Sequence, residues 1–229
     1  MSLTKYIRDV QSRFEAIPAP GTIIYDAIPR RVLAKPESRI ANDIAEHIHS
    51  GTVLDLGSGT GYLSIEIAKK VPDVQVYGID LSGQMVKIAR RHAKGVGNAR
   101  FHLGNVAELP FEDDSVDFIV STGALHHWKR PTRVFDECYR VLEIGKERWI
   151  YDPCADALKD EAAKAKKEYG FFRYRLLTKI AELHGFSRAE YEGKIKNILE
   201  ETKFKDAYQM KLTDMWMKIT LRKQATNHE

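Results

Sequence analysis

Residues 53–64, VLDLGSGTGYLS, place a carboxylate directly before a glycine-rich turn. A turn of this kind between a strand and a helix lets the backbone approach a bound nucleotide closely. The dinucleotide fingerprint is G-x-G-x-x-G, but here Gly57, Gly59 and Gly61 alternate, so the third glycine comes one residue early. Asp55 lies two residues before the first glycine, where its negative charge would repel a pyrophosphate. The pattern therefore favours a nucleotide-like ligand that carries a cation.

A second carboxylate, Asp80, ends the apolar stretch VQVYGID, 19 residues after Gly61. A carboxylate in this place can accept hydrogen bonds from both hydroxyls of a ribose. A nucleoside with a positive group in place of phosphates suits both aspartates. S-adenosylmethionine, which has an α-ammonium and a sulfonium, is such a ligand.

Strands and helices that alternate along the chain must position these residues. Apolar runs separated by helical segments of ten or more residues predict a doubly wound, parallel sheet with helices on both faces. Helices are predicted over 60–70, from the Ser82 cap to near Gly95, and over 131–142. The predicted strands are TVLDL, VQVYGID, ARFHLG, SVDFIVST and ERWIYD.

The C-terminal third departs from this alternation. Residues 155–184 are predicted to be helical, and residues 188–201 form a further predicted helix. The last two apolar runs, YQMKLTD and MWMKITLRK, are joined by a tight turn at Thr213. So short a link permits only antiparallel pairing.

Several motifs in order resemble those of the class I, Rossmann-like, S-adenosylmethionine-dependent methyltransferases. They resemble especially the branch that methylates quinones, sterols and other small molecules. The resemblance covers residues 38–152 and returns at EETKFKDAYQ. The motifs are VLDLGSGTG, YGIDLS, GNVAELPFEDDSVDFIVSTGALHHW and, from Arg140, RVLEIG.

The resemblance implies an α/β fold with a doubly wound, mostly parallel, seven-stranded sheet and an antiparallel last strand. We expect one domain over 1–229, with the cofactor-binding core at 36–152. A helical cap at 1–35 and a helical insertion or lid at 153–187 would cover the substrate. The last helix and the closing strands would occupy 188–229.

The resemblance also implies roles around S-adenosylmethionine, with S-adenosylhomocysteine as the product. Asp55 would engage the ammonium and Asp80 the ribose, while Leu81 and Met85 would pack near the adenine. The family often has Asp where this chain has Asn105, so we expect uncharged recognition of the adenine edge. The implied cofactor-binding residues are Asp55, Gly57, Ser58, Gly59, Gly61, Tyr62, Asp80, Leu81, Met85, Asn105, Val106, Ser121 and Thr122.

Candidate catalytic residues follow the fourth and fifth predicted strands. His126 and His127 come after the fourth strand, and Asp152 ends the fifth, so all three reach the edge where α/β sheets bind ligands. Histidine titrates near neutral pH and could act as a general base. The alternative is that the histidines only shape the start of a helix. A base is required only if the acceptor carries a proton of high pKa.

The predicted lid contains residues that suit a flat or anionic substrate. Phe171, Arg173 and Arg175 lie within the run FFRYR, and Tyr25 lies in the N-terminal cap. The alternative is that these side chains belong to an ordinary amphipathic helix with arginines reaching into solvent.

The composition limits the classes of partner. The net charge of +4 over 229 residues is too weak to indicate nucleic acid, whose binding surfaces carry denser basic stripes. The expected small-molecule substrate follows from the resemblance and not from the charge. No apolar run approaches the roughly 18 residues of a membrane span. Cys138 and Cys154 form no CxxC or Cys/His cluster, so we expect no metal site and a cytoplasmic location. The sequence carries no signal for an oligomeric state.

The sequence thus predicts a methyltransferase that acts on a small molecule by in-line displacement. Three alternatives stay open: a catalytically silent module that binds S-adenosylmethionine, an aminopropyl-type transferase on the same fold, and an enzyme with RNA as the acceptor. A nicotinamide dehydrogenase is disfavoured by Asp55 and by the early third glycine.

Overall fold

The computed structural model describes residues 36–156, 159–213 and 215–225. The predicted N-terminal cap at 1–35, which includes Tyr25, therefore lies outside the described residues. Among the described residues, no helix is both long and apolar enough to cross a bilayer.

The strands of the described chain form a single mixed sheet. They are β1 (Gly51–Leu56), β2 (Val74–Asp80), β3 (Ala99–Leu103), β4 (Val116–Thr122), β5 (Leu142–Pro153), β6 (Tyr208–Thr213) and β7 (Trp216–Arg222). Their order is β3-β2-β1-β4-β5-β7-β6. The first five strands pair in parallel, and β7 runs antiparallel to both β5 and β6. The predicted seven-stranded sheet with an antiparallel last strand is confirmed.

The helices lie close to their predicted positions. They are α1 (36–47), α2 (Tyr62–Lys70), α3 (Gly83–His92), α4 (Pro131–Val141), α5 (Lys159–Tyr169), α6 (Phe171–His184) and α7 (188–200), with a 3₁₀ turn at Leu125–His127. A π-helical turn, Tyr191–Ile195, lies within α7. As predicted, the Ser82 side chain caps α3 by accepting a hydrogen bond from the Met85 backbone N–H.

Two boundaries differ from the prediction, and a glycine with positive φ lies at each. The predicted helical stretch over 155–184 contains two helices, α5 and α6, which are separated at Gly170 with φ of 78°. Strand β5 begins at Leu142 instead of Glu147, with a register irregularity where it pairs with the start of β4. Gly145, with φ of 81°, lies within this irregular part. Glycine adopts this conformation without the steric cost that other residues incur.

The sheet is covered on both faces. On one face, β1 contributes Leu54 and Leu56 to an apolar cluster completed by α4 and α7. On the other face, Val53 packs in a second cluster with α1, α2 and α3. Burial on both faces explains why the strands read as apolar runs rather than alternating patterns. A third, smaller cluster joins α5 to α6.

A fully buried arginine, Arg148, lies in the first of these clusters. Its guanidinium carbon is 4.5 Å from the centre of the Phe135 ring and 5.6 Å from that of Phe204. None of its guanidinium nitrogens has a hydrogen-bond partner within the described part of the chain. Burial lowers the Arg148 pKa, while the neighbouring Cys138 opposes the fall; the faces of the aromatic rings also stabilise the cation.

The parallel arrangement brings polar residues to one edge of the sheet. Asp80 and Thr122 are the last residues of β2 and β4, and Asp152 is next to last in β5. Asp55 lies one residue before the end of β1, where it pairs with Val120 of β4. Because parallel strands end on the same side, the turns after them form a common site.

Candidate active site

A cavity lies at the carboxyl edge of the sheet, between the glycine turn and the loops after β2, β3 and β4. Its wall includes eight of the thirteen predicted cofactor-binding residues and also His127. The eight are Gly57, Gly59, Asp80, Leu81, Met85, Asn105, Val106 and Thr122.

The glycine turn is held against the end of β2. The backbone N–H groups of Gly57 and Ser58 donate to the carbonyl oxygen of Ile79 over 2.8 Å and 3.1 Å. Gly57 and Gly59 have φ of 72° and 52°, in the left-handed region. A Cβ on Gly57 would lie 2.6 Å from the Cβ of Ala124, whereas a Cβ on Gly59 would meet no atom within 4 Å. The Gly59 backbone therefore faces open space in the cavity.

Asp80 is fixed at the cavity wall by two backbone donors. Its Oδ2 accepts a hydrogen bond from the Gly59 N–H, and its Oδ1 accepts one from the Ser82 N–H, each over 2.8 Å. Burial raises the pKa of Asp80, while both hydrogen bonds oppose the rise. Each carboxylate oxygen keeps a second lone pair, so both can still accept from a diol.

Asp55 lies beneath the glycine turn and not on the cavity wall. Its Oδ2 accepts a 2.6 Å hydrogen bond from the Ser64 hydroxyl, whereas its Oδ1 is buried and has no partner among the described residues. Burial raises the pKa of Asp55 to about 7, and the charge of Asp80 adds to the rise. The pKa of Glu37, on α1, rises to about 8 through burial and the charges of Asp55 and Glu66. Two acidic groups thus lie close together under the turn, and their raised pKa values mean that they retain protons near neutral pH.

His126 and Asp152 form a buried hydrogen-bonded pair. The His126 Nδ1 lies 2.8 Å from Asp152 Oδ1, and the His126 backbone N–H donates to Oδ2 over 3.2 Å. Because a carboxylate only accepts hydrogen bonds, Nδ1 carries the proton and Nε2 keeps its lone pair. Asp152 is fully buried, and the His126 Nε2 is buried without a partner among the described residues. Asp152 is therefore placed to orient His126.

Two further histidines, His127 and His184, lie close to the His126 ring. The His127 ring centre lies 4.0 Å from that of His126, and the His184 ring, in the last turn of α6, lies 5.6 Å from that of His126. Burial and the neighbouring His126 and His184 lower the pKa of His127 to about 3. His127 is therefore neutral at physiological pH.

A family model described as a methyltransferase domain matches residues 48–207. The chain belongs to this methyltransferase domain family. Over 104 residues it is 39% identical to an arsenite methyltransferase of Halobacterium salinarum, covering 44% of this chain and 27% of the relative. Over 147 residues it is 28% identical to a ubiquinone/menaquinone biosynthesis C-methyltransferase of Geotalea daltonii, covering 62% of each. The chain thus spans less than two thirds of these curated relatives.

A solved structure is similar over almost the whole chain. A Methanococcus maripaludis protein, described as a candidate S-adenosylmethionine-dependent methyltransferase, superposes with a TM-score of 0.73 at 25% identity. The match covers 92% of this chain and 95% of that one. S-adenosylmethionine is therefore the cofactor of this methyltransferase domain, and the unpartnered carboxylate oxygen of Asp55 fits its positive charge.

Four other predicted cofactor residues contact protein groups or lie buried away from the cavity wall. A Cβ on Gly61 would lie 2.6 Å from the Phe101 ring and 3.0 Å from the Cβ of Ala89, so this glycine permits packing against β3 and α3. The buried Ser121 hydroxyl donates to the carbonyl oxygen of Leu56. Tyr62 stacks on His92 at 4.8 Å, and the Ser58 hydroxyl is buried without a partner among the described residues. None of these four residues lines the cavity.

Asn105 lines the cavity but has a local partner. Its side-chain oxygen accepts a 2.9 Å hydrogen bond from the Ala107 backbone N–H. This bond closes a turn of the kind that asparagine favours. The expected hydrogen bond to an adenine amino group must therefore use the second lone pair of that oxygen.

The predicted lid residues lie at the far end of α6 from the histidines. Phe171 begins the helix, and His184 ends it, which at 1.5 Å per residue separates them by about 20 Å. Phe171, Arg173 and Arg175 do not line the cavity. His184 was not among the predicted site residues, because a single histidine in the last turn of a helix is an ordinary C-terminal residue. Only the tertiary packing brings it to the site.

The glycine turn offers a matched pair of substitutions. Gly59→Ala and Gly61→Ala both impose strain at positive φ, of about 1 kcal/mol. Gly61→Ala also forces a methyl group into Phe101 and Ala89, so we expect it to be less stable than Gly59→Ala by about 1–3 kcal/mol. Gly59→Ala should weaken S-adenosylmethionine binding more. Urea unfolding and calorimetry measure the two effects, and equal stabilities would contradict this assignment.

Binding of S-adenosylmethionine should release a proton from Asp55. The pKa of Asp55 is about 7 in the folded protein and near 4 in the unfolded chain. Between these two pH values the folded protein therefore binds more protons than the unfolded chain, so its stability falls as the pH rises from about 4 to about 7. A ligand cation favours the carboxylate and expels roughly half a proton at pH 7. Calorimetry in buffers of different ionisation enthalpy measures this release. Asp55→Asn should abolish it, whereas the exposed control Asp73→Asn should not; proton uptake would contradict the assignment.

Proposed function

We propose that this methyltransferase domain transfers the methyl group of S-adenosylmethionine to a small-molecule acceptor, with His126 as the proton acceptor. The observation that carries the proposal is the buried Nε2 of His126, whose lone pair is kept available by Asp152. The adjoining residue, His127, lines the cavity that also contains the glycine turn and Asp80. His126 itself does not line this cavity, so the acceptor would have to reach its Nε2 next to His127.

The donor would be held by the residues on the sheet side of the cavity. Asp80 would accept from the ribose diol, and the Gly57–Gly59 backbone leaves room for the amino-acid end. The free oxygen of Asp55 would attract the ammonium. Leu81 and Met85 line the same wall and supply apolar contact for the adenine. When bound, the cofactor supplies a methyl group on a sulfonium, which leaves as a neutral sulfide.

The protein contributes alignment and a proton site. With the methyl group supplied by the bound cofactor, the acceptor would give up its proton to Nε2 of His126. Asp152 then faces an imidazolium across the 2.8 Å contact and stabilises its charge. Asp152 is a positioning residue in this proposal, because both its oxygens already accept from His126. His127, neutral and on the cavity wall, would contact the acceptor.

The cavity wall favours a small acceptor over RNA. Among its described residues only Lys129 and Arg130 are basic, whereas nucleic-acid surfaces carry dense stripes of positive charge. The relatives named above act on arsenite and on quinones, which are small molecules. Cys138 and Cys154 are buried and unpaired. Free cysteines fit a reducing compartment, so we include a cytoplasmic location in the proposal.

Calorimetry should show binding of S-adenosylmethionine and none of NAD. Asp80→Asn removes charge from the ribose site, and we expect about 10- to 100-fold weaker binding, the usual range for a hydrogen bond to a charged group. The control Asp73→Asn makes the same chemical change at an exposed loop position and should bind as the wild type does. Binding of NAD alone, or unchanged affinity in Asp80→Asn, would refute the donor site.

Methyl transfer should depend on His126 at the chemical step. With labelled S-adenosylmethionine and the small-molecule fraction of a cell extract, His126→Gln should lower kcat by about 10²- to 10⁴-fold and leave donor affinity unchanged. Asp152→Asn should also lower kcat, because an amide no longer fixes the proton of His126 on Nδ1. The exposed control His49→Gln should leave kcat unchanged. Tight donor binding without any methylated product would favour the silent binding module.

A further inference from the structure

Three histidines converge beside the cavity. His126 and His127 belong to the 3₁₀ turn after β4, and His184 ends α6. One ring nitrogen of each lies within 4.8 Å of those of the other two, and all three residues are partly buried. We call this group the three-histidine cluster.

The donor set matches the coordination chemistry of zinc-type ions. Imidazole nitrogens bind zinc at 2.0–2.1 Å, so tetrahedral ligands lie about 3.4 Å apart. The cluster, with nitrogens up to 4.8 Å apart, therefore needs a contraction of about 1.4 Å, which rotation of the imidazole rings can supply. Three histidine ligands with a fourth position left open are typical of catalytic zinc sites.

The surroundings of His126 also resemble those of a metal ligand. A histidine that binds a metal usually donates its other ring N–H to a carboxylate, which fixes the tautomer and raises the basicity of the ligand. Asp152 makes this contact with Nδ1 over 2.8 Å. The opposite nitrogen, Nε2, is buried and without a partner among the described residues. A buried polar atom without a partner costs free energy, and an ion at the cluster would give Nε2 of His126 a partner.

The close packing of the three rings favours one shared ion over separate positive charges. The ring centres of His126 and His127 lie 4.0 Å apart, and that of His184 lies 5.6 Å from that of His126. Three imidazolium groups at these distances would repel one another in a partly buried site. A single divalent ion would instead share its charge among the three rings and the carboxylate of Asp152.

We propose that His126, His127 and His184 bind one divalent transition-metal ion of the zinc type, while Asp152 holds His126 through its other ring nitrogen. The ion would connect the end of α6 to the turn after β4. Since Nε2 of His126 has one lone pair, an ion and a proton compete for it, so the metal-loaded protein would lose the base proposed above. Metal binding itself does not depend on the proposed methyl transfer.

Cobalt(II) is the probe for this site, because its visible absorption reports tetrahedral coordination. Full-length, tag-free protein stripped with a chelator should bind one Co²⁺ per chain, and one equivalent of Zn²⁺ should displace it. His184→Gln should weaken binding at least tenfold, and Asp152→Asn should weaken it by about 10- to 100-fold. Zinc should also raise the melting temperature of the wild type, because it binds only the folded state.

The control is His49→Gln, which removes an exposed histidine outside the cluster and should bind Co²⁺ as the wild type does. His127→Gln provides a second ligand variant, and circular dichroism checks the fold of each protein. Absence of the tetrahedral cobalt spectrum in the wild type would overturn the proposal. Equal affinity in wild type, His184→Gln and His127→Gln would also overturn it, since the metal would then bind elsewhere.

Discussion

Three aspartates share the carboxyl edge of the sheet, and each must keep hydrogen-bond partners although Asp55 and Asp152 are buried and Asp80 is half-buried. Asp80 takes two backbone N–H groups, which fixes the glycine turn and the start of α3 against the end of β2. Asp55 takes the Ser64 hydroxyl from α2. Asp152 takes both the ring and the backbone of His126. The positions of the turn, of two helices and of the histidines therefore follow from how these carboxylates are satisfied.

The two sides of the site differ in charge because of this arrangement. On the donor side, the free oxygen of Asp55 and the carboxylate of Asp80 attract a cation and oppose phosphate. On the acceptor side, the single carboxylate is already committed to His126, and His127 is kept neutral by burial. The acidic side would attract a positively charged methyl donor, whereas His127 places a neutral imidazole on the cavity wall. This difference in charge suits a donor that carries its methyl group on a sulfonium.

Sequence patterns predicted the parts of this site that depend on local chemistry. Asp55, the alternating glycines and Asp80 indicated a cationic nucleoside, because the turn and the strand end are both encoded within a short stretch. The same patterns could not show that Gly61 accommodates Phe101 rather than a ligand, since that contact joins residues 40 positions apart. The predicted helical stretch over 155–184 is divided at Gly170, which has a positive φ. The spacing of apolar residues along a helix does not reveal the backbone conformation of a single glycine. His184 was missed for a related reason: only the packing of α6 gives it neighbours.

Asp152 explains how one imidazole suits two chemistries. A general base and a metal ligand both require a neutral ring with its lone pair on a known nitrogen, and a carboxylate on Nδ1 creates this state in either case. The fold therefore fixes the tautomer of His126, but it does not fix whether Nε2 binds a proton or a metal ion. That choice depends on His184, because a proton needs only the His126–Asp152 pair, whereas an ion needs the third ring from α6. The position of α6 relative to the sheet would accordingly decide between the two.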